Sequence, residues 1–208
     1  MAVDLFSAID QNDVQQVRAL LSRNQDPNAP DAEGWRPIHV AIGQIGSGRS
    51  PDLIANVVAL LIEYGADVNA WDVHHNETPI LSASVQGGST VARLLLEAGA
   101  DPNVRNQVGD SPLRLGVWAQ DVDLVALLLR FGADKTINEF GGDFAWTALG
   151  IAAHLFNVRM IRLLLEAGAD PTVIDDLGRT ARDLLPSREN HDPETWDEVM
   201  ELLGCQRS

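Results

Sequence analysis

Cysteine is almost missing from the 208 residues: Cys205 is the only one. A single thiol closes no disulfide within the chain and supplies no thiolate cluster, which excludes a disulfide scaffold and a zinc finger. Positive charge is also scarce, with 15 Lys and Arg against 30 Asp and Glu, a formal charge of −15. Such an acid excess is unsuited to nucleic acid or to an anionic membrane surface. Lysine is represented by Lys135 alone. Long apolar runs are absent too. The longest nearly apolar stretch, 53–62, is interrupted by Asn56 and falls far short of the roughly 20 residues that a membrane helix needs. The N-terminal stretch carries acids where a secretory signal needs a basic segment, so the cytoplasm is the expected location. Yet 45% of the residues are hydrophobic, too many for a disordered acidic tail and enough for a buried core.

What is present is repetition. The strings Leu-Leu-Ile-Glu-Tyr-Gly-Ala-Asp-Val-Asn (60–69), Leu-Leu-Leu-Glu-Ala-Gly-Ala-Asp-Pro-Asn (94–103), Leu-Leu-Leu-Arg-Phe-Gly-Ala-Asp-Lys-Thr (127–136) and Leu-Leu-Leu-Glu-Ala-Gly-Ala-Asp-Pro-Thr (163–172) align. Their glycines, Gly65, Gly99, Gly132 and Gly168, are 34, 33 and 36 residues apart. A weaker copy occupies 20–28. Each full copy follows a second recurring unit: Arg36-Pro-Ile-His39, Thr78-Pro-Ile80, Ser111-Pro-Leu113 and Thr147-Ala-Leu149, with Arg179-Thr-Ala181 as a last echo. Ser, Thr or Arg before Pro or Ala reads as a helix entrance, because Pro is tolerated in the first turn where its missing N–H has no partner anyway. The leucine run, with Val or Ile three and four residues earlier, is the apolar stripe of a second helix. Gly ends it by accepting a left-handed backbone.

This pattern resembles the ankyrin repeat, whose Thr-Pro-Leu-His opening and Leu-Leu-Leu…Gly-Ala-Asp-Val-Asn closing are matched over essentially the whole chain. The resemblance implies an all-α solenoid of stacked helix-turn-helix units with short β-hairpin fingers. It implies one domain over 1–208: an N-terminal cap at 3–29, repeats from about 31, 72, 106 and 139, and a C-terminal cap at 175–205. Stability then comes from stacking neighbours, and the ends need polar caps.

Three departures from the repeat stand out. Arg36 to Thr78 is 42 residues and Ser111 to Thr147 is 36, against a regular 33 from Thr78 to Ser111. The first excess lies mostly at 45–52, a Gly-Ser-rich loop between helices, with Ser50 expected to cap the next one. The second lengthens a finger at 138–146. The C-terminal cap carries an acidic loop before a helix that Asp192-Pro193 should start.

Little in the sequence supports catalysis. Gly43-Gln-Ile-Gly-Ser-Gly48-Arg49-Ser50 has the spacing of a phosphate-binding loop, but a helix enters it where a strand is required, and Arg replaces the compact charge of Lys. His39 occupies the histidine of the ankyrin opening, where a structural hydrogen bond is expected. No metal-ligand spacing surrounds His74 and His75, and no nucleophile triad can be assembled. No cofactor or metal is expected. The recurrent Asp67, Asp101, Asp134 and Asp170 read as turn caps.

The aromatic residues point to a binding surface. Ankyrin proteins usually bind other proteins through finger tips and first-helix ends on the concave side. Trp35, Trp71, Trp118 and Trp146 map there, with Phe140 and Phe144 in the long finger, His74 in another finger, and His154 near the end of a first helix, facing the groove. Trp196 is assigned to cap packing. Finger acids are interleaved with these rings: Asp31, Glu33, Asp72, Glu77, Asp110, Glu139, Asp143, Asp175 and Asp176. Arg105 and Arg179 are placed to pair with some of them. Together Glu33, Trp35, Trp71, His74, Glu77, Asp110, Trp118, Phe140, Asp143, Phe144, Trp146 and His154 form the candidate site. It suits a basic protein surface steered by charge and anchored by aromatics. Truncating Trp118 or Trp146 should then weaken binding by more than about 1 kcal/mol without unfolding the chain. The expected function is non-catalytic binding by a monomer, as an inhibitor or immunity protein that neutralises a basic toxin or enzyme. The alternative is an adaptor or regulatory scaffold without inhibitory activity.

Overall fold

The structure, a computed structural model, describes residues 4–204. Val3 and Cys205, the outer bounds expected for the two caps, lie outside the described residues. The chain divides into two compact units, 1–104 and 105–208.

The first unit contains α1 (Leu5–Asp10), α2 (Val14–Leu21), α3 (Pro37–Ile42), α4 (Pro51–Glu63), α5 (Pro79–Val85) and α6 (Ser89–Glu97). Helix α1 packs on α2 and α3, α3 on α4 and α5, and α4 on α2 and α6. The interior is apolar: Ile9, Ile38, Ile42, Val57, Leu61, Ile80, Leu81 and Leu95 are fully buried. Each such side chain contributes about 1.5–3 kcal/mol through removal from water.

The second unit contains α7 (Pro112–Trp118), α8 (Val122–Arg130), strands β1 (Phe140–Gly141) and β2 (Trp146–Thr147), α9 (Ala148–His154), α10 (Val158–Glu166) and α11 (Pro193–Leu202). Short 3-10 turns occupy Ala133–Thr136, Ala181–Leu184 and Arg188–Asn190. Helix α7 packs on α8 and α9, and α9 on α10. Leu113, Leu124, Leu128, Ile151, Met160, Ile161 and Leu164 form the core. The strands pair antiparallel, Phe140 opposite Thr147 and Gly141 opposite Trp146. This hairpin is the elongated finger.

Local chemistry sets the helix ends as the repeats imply. Pro37, Pro79 and Pro112 each take the first helical position. Three of the second helices, α2, α8 and α10, are capped by Asp13, Asp121 and Asn157, whose side chains accept from the main-chain N–H three residues on. Gly65, Gly99, Gly132 and Gly168 all have φ near +90°, the left-handed conformation that ends the leucine helices. Asp192 caps α11, accepting from Thr195 N at 2.8 Å. Ser50 stands at the start of α4 but makes no capping hydrogen bond through its side chain.

The Gly-Ala-Asp turns are joined by asparagines. Asn28 donates to the Gly65 carbonyl at 2.8 Å and accepts from Asp67 N at 2.8 Å. Asn69 does the same for Gly99 and Asp101, at 3.1 and 2.9 Å. In the second unit Asn138 serves Gly168 and Asp170, at 3.5 and 2.7 Å. Asp67, Asp101 and Asp170 each close their turn by accepting from the N–H two residues on. Asp134 differs: it lies within a 3-10 turn, Thr136 stands where the first unit has its bridging asparagines, and Asn138, two residues on, makes the bridge.

Candidate functional site

The fingers of the first unit are built on two aspartates. Asp31 N donates to Trp35 O at 2.9 Å, and its carboxylate accepts from Glu33 N and Trp35 N at 3.0 and 2.8 Å. Asp72 N donates to Glu77 O at 2.9 Å, and its buried carboxylate accepts from His74 N and His75 N at 2.8 and 2.6 Å. Burial opposes ionisation of Asp72, but the His75 and His74 N–H groups and the nearby His39 outweigh it and hold the pKa below the usual carboxylate value. Trp35 stacks on His74, with ring centroids 4.1 Å apart, and His74 Nε2 donates to the Glu33 carbonyl at 3.0 Å. Trp71 and Glu33 are exposed, while Glu77 accepts from Ser82 Oγ at 2.8 Å.

His39 is 5% exposed. The main chain of Glu77 and Ala70 lies near its ring but outside ordinary hydrogen-bond geometry, and neither ring nitrogen has a partner among the described residues. The ring is thus held against this main chain in a buried, structural position. Burial is the leading reason its pKa lies below the ordinary imidazole value, with the Asp72 carboxylate opposing.

In the second unit the same turn recurs on Asn106, which accepts from Val108 N and Asp110 N at 3.2 and 2.9 Å. It recurs again on Asp175, which accepts from Leu177 N and Arg179 N at 2.9 and 2.8 Å. Asp31, Asp72 and Asp175, expected to contribute to an acidic partner-facing field, are thus consumed in finger turns, since a carboxylate closing successive N–H groups is the local substitute for a main-chain ladder. Asp110 is likewise engaged, in an ion pair with Arg114. Asp143 is exposed. As expected, Arg105 pairs with Glu139 at 2.7 Å and Arg179 with Asp175 at 2.8 Å.

Four of the chosen residues converge in this unit. Trp146 stacks on Phe144 at 4.9 Å and on Trp118 at 5.9 Å, and His154 tilts against it at 4.7 Å. The Arg179 guanidinium lies 5.8 Å above the Trp146 ring, a cation–π contact. Trp146 is only 7% exposed, so it is the floor of the cluster, contrary to the expectation that truncating it would spare the fold. Phe140 and Phe144 are 50% and 58% exposed, Trp118 is half-buried and His154 is exposed. Trp196 packs in the cap as assigned, its Nε1 donating to Pro186 O at 3.4 Å with Arg188 over its ring.

Two features escaped the sequence reading. Exposed apolar side chains recur at finger tips: Val73 in the first unit, and Val108, Ile174 and Leu177 beside Phe140 and Phe144 in the second. Their signal was available, because Val108 and Leu177 each precede the glycine of an otherwise polar turn. The other is Arg114, which takes the place His39 has in its repeat and is 1% exposed. Its Nε donates to the Trp146 carbonyl at 2.8 Å. Burial lowers its pKa from the ordinary guanidinium value, and the Asp110 carboxylate counters this. Among the described residues no group of three or more His, Cys, Asp or Glu is placed to hold a metal ion, and no helix is long and apolar enough to cross a membrane.

The repeat geometry has clear relatives. A family model described as ankyrin repeats (3 copies) matches residues 5–106, and one described as ankyrin repeat matches 145–176. The chain is similar to the ANK repeat-containing protein nipk-1 of Caenorhabditis elegans, 31% identical over 70% of this chain and 26% of that protein. It is 30% identical to the neurogenic locus notch homolog protein 1 of Xenopus laevis over 75% of this chain and 6% of that protein. It is 28% identical to the E3 ubiquitin-protein ligase KEG of Arabidopsis thaliana, over 71% of this chain and 9% of that protein. The chain thus spans only a minor part of these curated relatives. Two solved structures match it over 96% of this chain and 95% of theirs: an ankyrin repeat domain from Acinetobacter baumannii AYE, at TM-score 0.80 and 29% identity, and the ankyrin repeat protein EF0377, at 0.76 and 28%. Ankyrin repeats generally mediate protein–protein interaction and are not generally catalytic. By its repeats, its fold and these matches, the chain belongs to the ankyrin repeat family.

Proposed function

We propose that the chain is a non-catalytic protein-binding module that engages a basic partner through the finger tips and aromatic cluster of its second unit. The observation that carries this reading is the exposure of Phe140 and Phe144 on a finger whose base is buried. Apolar side chains held in water by a fixed turn cost free energy until a partner covers them, and large rings are the side chains that most often dominate binding. Val108, Ile174 and Leu177 add exposed apolar side chains on the preceding and following fingers, and Asp143 and Asp176 are exposed carboxylates of the same unit. With a net charge of −15, a cationic partner is attracted at long range and held by the rings at short range.

A binder of this kind acts as an inhibitor or immunity protein when it covers the working surface of a basic enzyme or toxin. The adaptor reading draws on a separate feature, the Trp35–His74 stack with exposed Trp71 and Val73 in the first unit, which offers a second partner its own surface. The test is to isolate the protein bound by the chain in its native host, measure that protein's charge, and assay its activity free and in complex. A basic partner silenced by the wild-type chain supports the neutraliser. Undiminished activity in a stable complex favours the adaptor, and an acidic partner contradicts the proposed surface chemistry.

A further inference from the structure

We infer that Arg114 and Asp110 form a clamp that fixes the pose of the elongated finger, which makes Arg114 a positioning residue for the exposed rings of Phe140 and Phe144. The inference rests on the preceding reading for the purpose of the pose, while the clamp itself stands on geometry alone. Arg114 projects from α7 beneath the hairpin and is fully buried. Nη1 of its guanidinium donates to the Asp110 carboxylate, and Nε donates to the Trp146 carbonyl in β2 at 2.8 Å. The opposite strand is shaped to the same group. A Cβ on Gly141 would fall 2.8 Å from Arg114 Nη1 and would collide with the Gly109 carbonyl, and a Cβ on Gly142 would fall 3.3 Å from Nη2. Gly142 N in turn donates to Val108 O at 2.7 Å, closing the finger onto its neighbour.

A buried ion pair is a poor source of net stability, because an apolar pair of similar volume often does as well or better. What an apolar pair lacks is direction. The planar fork binds a carboxylate and a carbonyl at once and at fixed angles, which neither an ammonium nor a methyl group can do. The longer finger, the two glycines and the arginine therefore act together. The arginine occupies space that only glycine leaves free, and the extra finger residues are held outward as a preformed surface, so that a partner need not order them on binding.

Amide hydrogen exchange on the intact chain tests this without any partner, so its outcome is independent of whether the binding role holds. In Arg114→Lys, protection of the Gly142 N–H should fall about tenfold or more, the scale of a lost charge-assisted hydrogen bond, while α10 amides such as Leu164 change by less than about threefold. Should Arg114→Lys fail to fold, Asp110→Asn is measured and judged by the same two amides. Unchanged Gly142 protection in a folded variant would overturn the clamp. So would an equal loss at Gly142 and in α10, since that would make the pair a general stabiliser with no local hold on the finger.

Discussion

Phe144 stacks on Trp146 with ring centroids 4.9 Å apart, yet Trp146 is 7% exposed and Phe144 58%. The two rings share one contact and divide two tasks. Trp146 anchors the finger to α9 and to the Arg114 guanidinium through its carbonyl, and Phe144 carries the apolar surface outward.

Truncation should separate these tasks. Trp146→Ala is expected to cost about 3–5 kcal/mol of folding free energy, the scale for emptying a buried aromatic site. Phe144→Ala should cost about 1 kcal/mol or less, since it forfeits one ring stack and little burial. Urea titrations of the two variants decide the matter, and equal losses would show that the cluster is a single structural core.

Gly141 offers a steric probe of the finger. Its side-chain position is filled by the Gly109 carbonyl and the Arg114 guanidinium, so Gly141→Ala should destabilise the protein by about 2 kcal/mol or more through overpacking against backbone. Gly65→Ala meets no atom within 4 Å but has φ +90°, so it should cost about 1–2 kcal/mol from backbone strain alone. A larger loss at Gly65 than at Gly141 in denaturant melts would contradict the close approach.

His39 sets a pH dependence. Its folded pKa lies below the ordinary value of 6.5, chiefly because burial disfavours the charged ring. The unfolded chain therefore binds the proton more readily, so stability declines as pH falls below about 6.5 and levels off below the depressed folded value. Chemical denaturation at pH 7 and pH 5.5 should show a loss in the wild type that is smaller in His39→Gln. An identical loss in both proteins would assign the titration elsewhere.

Much of the fold was legible because it follows from rules acting within a few residues. Pro37, Pro79 and Pro112 open helices, and Gly65, Gly99 and Gly168 close them in the left-handed region. The long finger at 138–146 is also visible as extra length. What escaped depended on which residues meet across the fold. Nothing in the string around Arg114 indicates that Gly141 and Gly142 close over it, and nothing around Asp31, Asp72 or Asp175 separates a carboxylate spent on a turn from one left for a partner. Trp146 reads as a surface anchor in the sequence because two of the rings packed on it, Trp118 and His154, come from helices α7 and α9 and not from its own finger.

The central claim, that the second unit's finger is the partner surface, is tested most directly by the affinity of the partner isolated from the native host for wild type and for Phe140→Ala/Phe144→Ala, each first confirmed as folded. Loss of the two exposed rings should weaken binding at least about tenfold, mainly through faster dissociation. An unchanged affinity in a folded double variant would contradict the account and move the partner surface elsewhere on the chain.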